Sequence, residues 1–142
     1  MFLNKEVLVN NDWENLQKDN VIVEEGDRKE AYRALSSLLH KCKRSQENLS
    51  SEKWQWKLME GHIYALEIAL PIITNSTEIN FTRNELLKAM QELSLILDKT
   101  EKIRKKLKQG SPQWTLNTNR IYALRIALFL TAKTLKNFEK EA

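Results

Sequence analysis

The stretch HIYALEIAL at His62–Leu70 returns as RIYALRIAL at Arg120–Leu128, 58 residues further along the chain. Only His62 and Glu67 differ from their counterparts, Arg120 and Arg125. In the first copy Ile63, Leu66 and Leu70 fall on one helical stripe that continues to Ile73, while Tyr64, Ala65, Ile68 and Ala69 fill other sides. A helix apolar on so much of its circumference belongs inside a protein, not on its surface.

The echo extends outward without a gap. A 58-residue shift pairs Ala31 with Ala89, Leu35 with Leu93, Ser36 with Ser94, Leu39 with Leu97, Lys41 with Lys99 and Leu49 with Leu107. It then pairs Gln55-Trp56 with Gln113-Trp114, and Leu58 with Leu116. Sixteen of the 47 positions from 31 to 77 are identical, and unrelated helices that merely share leucines would not also match a Gln-Trp pair in register. The pattern reads as an internal duplication of one helical hairpin.

Four helices follow from the periodicity. The first is expected to start after Gly26, with Asp27 as cap and Glu30 reaching back, and to carry Ala31, Leu35, Leu38, Leu39, Cys42 and Leu49 on one face. The second is expected to be capped by Ser50 or Ser51 and to kink or end early at Pro71, which lacks a backbone donor. Thr82 and Glu85 form a capping box for the third, which carries Leu86, Leu87, Met90, Leu93, Ile96, Leu97, Ile103 and Leu107 toward the core and stops at Gly110. Ser111 and Pro112 then open the fourth, which runs to about Phe138 with Ile121, Leu124, Leu128 and Leu135 inward. The connections are short, so the expected fold is all-α: a four-helix up-down-up-down bundle of two duplicated hairpins, 27–76 and 83–139, within residues 27–142. Residues 1–26 are expected to form a mostly irregular arm.

Composition agrees with one domain and narrows the function classes. At 142 residues and 42% apolar content the chain fills one core, and three Gly and two Pro are too few for a turn-rich β architecture. The single cysteine, Cys42, excludes an internal disulfide, and with no apolar leader or spanning segment in view the expected setting is cytoplasmic, away from membranes. The net charge of +4 is unevenly spread. Residues 1–30 hold four basic side chains against eight acidic ones, so the arm is acidic and the remainder strongly basic.

No catalytic or metal constellation emerges. His40 and His62 have no metal-ligand spacing, the inner stripes lack the carboxylates of a di-iron bundle, and no glycine-rich phosphate loop occurs. Neither enzyme activity nor a metal or other cofactor is therefore expected. Two surfaces stand out instead. One is a basic patch at two helix ends: Lys41, Lys43 and Arg44 in the first hairpin, and Lys102, Arg104, Lys105, Lys106 and Lys108 in the second. Cations at helix C-termini stabilise the helix on their own account, yet such a patch also suits phosphates. The other is the set Trp54, Trp56 and Trp114 near the starts of the second and fourth helices, which either cover a core end or anchor a protein partner. The expected function is a noncatalytic interaction or regulatory protein that contacts another protein or a second copy of itself through the apolar second and fourth helices, with nucleic-acid binding through the basic ends as the alternative.

Overall fold

A computed structural model of the chain describes residues 22–76 and 79–141. Four helices follow one another: α1, Glu25–Glu47; α2, Trp54–Ile73; α3, Arg83–Lys105; and α4, Pro112–Glu141. No strand occurs among the described residues, and the helices pack as a four-helix bundle, the all-α architecture that the periodicity predicts.

The packing is not square. Helices α2 and α4 each touch all three other helices, whereas α1 and α3 make no close approach to each other. The cross-section is therefore a rhombus whose short diagonal joins the two helices that carry the repeated IYAL-x-IAL stretch. Helices with a single apolar stripe take the outer corners, and helices apolar all round take the inner ones. Ala65, Ala69, Ala123 and Ala127 are all fully buried, and such small side chains let axes close toward the lower end of the roughly 8–10 Å range. Every residue from Ala123 to Ala132 is buried. Elsewhere on α4, Leu116 and Phe138 are exposed.

Three apolar pairs related by the 58-residue shift share their burial. Leu35 and Leu93, Ala31 and Ala89, and Leu66 and Leu124 are all completely enclosed. Between α1 and α2 the contacts join positions in opposite order. Arg28 near the start of α1 donates from Nη1 to the Ile73 carbonyl at the end of α2 (2.9 Å), and Gln46 near the end of α1 reaches Trp56 and Glu60 near the start of α2.

Helix boundaries show which local signals prevail. The Thr82 hydroxyl accepts from the Glu85 amide at 3.1 Å and the Glu85 carboxylate accepts from the Thr82 amide at 2.9 Å, so the capping box forms as expected. Thr82→Ala should lower stability by about 1 kcal/mol, read as a shifted urea midpoint at constant slope. At α4 the Ser111 hydroxyl accepts from the Trp114 amide (3.2 Å), with Pro112 as first helical residue. Pro71 lies in the last turn of α2, where the chain ends in a Schellman turn: Ser76 N–H donates to the Pro71 carbonyl and Asn75 N–H to the Ile72 carbonyl, with Asn75 at φ 56°.

Three boundaries differ from expectation. α1 starts at Glu25, not after Gly26: Glu24 is the cap residue without a side-chain bond, and Asp27 is fully buried in the first turn. α2 starts at Trp54, with Lys53 and not Ser50 or Ser51 before it; the Ser50 hydroxyl instead accepts from the Glu52 amide within the turn. α3 ends at Lys105, five residues before Gly110, which turns the chain toward Ser111 at φ 85°. Ile103, counted toward the core by its spacing, is 42% exposed. The acidic arm falls mostly outside the described residues; of its last part, Ile22 is exposed while Val23 is buried in the core.

Candidate functional site

The basic side chains lie at the ends of α1 and α3 as their positions require, and they remain in solvent. Lys41, Lys43, Arg44, Lys102, Lys105, Lys106 and Lys108 are exposed, and Arg104 is half-buried. Some are already engaged: Lys102 Nζ is 2.9 Å from Asp98 Oδ2, and Lys43 Nζ is 3.8 Å from Glu67 Oε1. No ion pair among the described residues engages Lys41, Arg44, Lys105, Lys106 or Lys108. The backbones of α1 and α3 do not approach each other, so each basic cluster sits on the end of its own helix.

Each hairpin closes its turn with side chains at equivalent positions but of different chemistry. In the first, Gln46 Nε2 donates to the Trp56 carbonyl (3.4 Å) and to Glu60 Oε2 (2.9 Å). In the second, the counterparts are Arg104, Trp114 and Thr118: the Arg104 guanidinium lies over the Trp114 ring, 5.8 Å from its centroid, and donates to the Thr118 hydroxyl (3.4 Å). A further pair is equivalent with its charges exchanged. Lys43 faces Glu67 in the first hairpin, and Glu101 faces Arg125 at 3.2 Å in the second. The departure from identity at 67 and 125 thus belongs to two separate ion pairs, one within each hairpin. Glu67 is solvated, as a flank position should be, but Arg125 is buried.

Trp54, Trp56 and Trp114 are covered to different degrees. Trp56 and Trp114 are half-buried, and Arg104 at the end of α3 lies over the Trp114 ring. Trp54 alone presents its ring, at 69% exposure, beside the exposed Lys53 and one turn before the exposed Lys57. Its counterpart in the second hairpin is Pro112, so this aromatic is a feature of one turn only.

Polar groups inside the bundle were not singled out by spacing. His62 and its counterpart Arg120 are both buried, and neither the two ring nitrogens of His62 nor Nε of Arg120 finds a hydrogen-bond partner. Their signal was present in the repeat: positions 62/120 and 67/125 are the two at which the nine-letter stretch departs from identity, and three of these four side chains are buried. Glu92 Oε2 stands 3.9 Å from His62 Nδ1, too far for a hydrogen bond. Gly61 makes room for that carboxylate, since a Cβ there would lie 2.7 Å from Glu92 Oε2. Burial, reinforced by Lys99, holds the His62 pKa below its ordinary value of 6.5. The unfolded chain therefore takes up this proton first on acidification, so the contribution of His62 to stability is complete above pH 6.5 and is lost as pH falls toward its lower folded value. Urea midpoints at about pH 7.5 and 5.5 should drop for the wild type and drop less for His62→Leu; equal drops would remove His62 as the source. Burial likewise raises the Cys42 thiol, against the opposing pull of Lys41, Arg120 and Lys99, so Cys42 is not a ready thiolate nucleophile.

At the far end of the first hairpin from its turn, a cleft of about 490 Å³ lies between α1 and the end of α2, lined by Arg28, Lys29, Tyr32, Arg33, Ser36 and Ile73 among others. Arg28 is tied to the Ile73 carbonyl, and Arg33 to Glu30 at 3.2 Å. No group of three His, Cys, Asp or Glu among the described residues could hold a metal ion, and no helix among them is long and apolar enough to cross a membrane. The chain matches no family model, no curated protein and no solved structure.

Proposed function

We propose that this chain is a noncatalytic interaction protein that acts by contact with another protein, through a Trp54-centred surface at the turn of its first hairpin. The hairpins are read as two copies of one unit in an up-down-up-down order, which gathers both turns at one end of the bundle. The observation that carries the proposal is the 69% exposure of Trp54, an aromatic left in water at a helix start while its neighbours Trp56 and Trp114 are partly covered. Large flat side chains of this kind supply most of the energy where protein surfaces meet. Much of the apolar length of α4, from Ala123 to Ala132, is buried, which favours Trp54 over that helix as the contact surface.

Trp54→Ala removes no core contact and should leave the melting temperature almost unchanged while abolishing partner binding. The check is affinity capture from the native source with wild-type and Trp54→Ala baits side by side, together with light scattering for self-association. A partner, or a dimer, retained only by the wild type supports the proposal, and identical behaviour of the two baits sinks it.

The exposed, unengaged Lys105, Lys106 and Lys108 favour a second reading, sequence-independent binding of nucleic acid through the basic corners. A mobility shift at low salt that vanishes at high salt, and that Lys105→Glu with Lys106→Glu abolishes, would support it. No shift at low salt removes it.

A further inference from the structure

The outward face of α3 departs from its counterpart on α1. Under the 58-residue shift, Ser37 and Ser45 of α1 correspond to Leu95 and Ile103 of α3. All four are exposed, and Leu95 is 58% accessible. Positions that are polar on α1 are thus aliphatic on α3 without entering the core. Leu95 and Ile103 are roughly 12 Å apart along the axis at 1.5 Å per residue, and lie within a quarter turn of one another. The exposed Lys99, Lys102 and Lys106 share that face; of the acids beside it, Asp98 is paired with Lys102, and Glu92, one turn before Leu95, is only 23% exposed and stands 3.9 Å from His62 Nδ1.

We infer that this face of α3 docks an acidic amphipathic helix of a partner protein, its aliphatic side chains against Leu95 and Ile103 and its carboxylates against Lys99 and Lys106. Charge and shape select that occupant. A second copy of the chain placed across a twofold axis would set Lys99, Lys102 and Lys106 against themselves, and like charges opposed in an interface are unfavourable. Nucleic acid would use the lysines but not the aliphatics, which offer bases no stacking surface. The α1 face, with Lys41 and Arg44 at the matching places, would serve phosphates equally well with its serines. Two apolar anchors two helical turns apart within a basic frame are what a helix laid lengthwise along α3 would meet. This surface does not depend on Trp54.

The test uses the intact chain and a fluorescent helical peptide bearing two leucines eight residues apart with glutamates around them, followed by anisotropy. A matched peptide with lysines in place of the glutamates is the control. The glutamate peptide should bind in a salt-sensitive way, and the lysine peptide about tenfold or more weaker. Leu95→Ser with Ile103→Ser, which gives α3 the residues that α1 carries, should weaken binding about tenfold or more with an unchanged circular-dichroism melt. Lys99→Glu with Lys106→Glu should do the same, and Trp54→Ala should bind as the wild type does. Equal binding of the two peptides, binding of neither, or full binding by the double-serine variant overturns the inference. So does an oligodeoxythymidine that displaces the peptide and binds the double-serine variant undiminished, or a dimer in sedimentation that the serines dissolve.

Discussion

Leu124→Ala should lower the free energy of unfolding by about 2–5 kcal/mol, and Leu66→Ala should lower it by nearly the same amount. Both side chains are completely enclosed and hold the same place in the repeated stretch. The cost combines lost transfer energy with the void left behind, and how far that void collapses depends on its surroundings. Equivalent surroundings should therefore give costs matching to within about 1 kcal/mol, whereas unrelated sites spread over the whole range. Against a total stability of roughly 5–15 kcal/mol either change is large enough to measure cleanly by urea titration. Costs that differ threefold would show that the two halves are not structural equivalents.

Glu101→Ala should be the most damaging substitution among the charged residues. It leaves Arg125, whose side chain is only 10% exposed, without its carboxylate, while Glu101 itself is 27% exposed. Removing one partner of a buried pair costs about 3–5 kcal/mol, and the partial exposure of Glu101 puts the expectation at the lower end. The counterpart change, Lys43→Ala, breaks a solvated 3.8 Å pair and should cost less than about 1 kcal/mol. Glu101→Lys should be worse than Glu101→Ala, because it sets two cations together, and adding Arg125→Glu should recover part of the loss by rebuilding the arrangement of the first hairpin. Equal effects of Glu101→Ala and Lys43→Ala would show that the Arg125 pair is not sheltered from water.

The number and order of helices were legible because the decisive signals are local or repeated. Thr82 with Glu85, and Ser111 with Pro112, act within a single turn and formed as their spacing requires. The starts of α1 and α2 were not legible, since Glu24 and Lys53 precede those helices without a side-chain cap, and tertiary packing sets where they begin. Ile103 fits the apolar period of α3 yet lies in water, because α3 sits on an outer corner and presents its core face only to α2 and α4. The candidate surfaces were half legible. Which side chains are basic or aromatic is written in the sequence, but which tryptophan stays uncovered depends on how each hairpin folds back. Arg104 lies over the Trp114 ring, whereas Trp54 is left 69% exposed.

The unequal diagonals of the bundle also divide labour between its helices. A change on the outside of α1 or α3 meets no backbone of the other outer helix. One exterior rail can thus differ from the other without a matching change across the central strut, as Leu95 and Ile103 on α3 differ from Ser37 and Ser45 on α1.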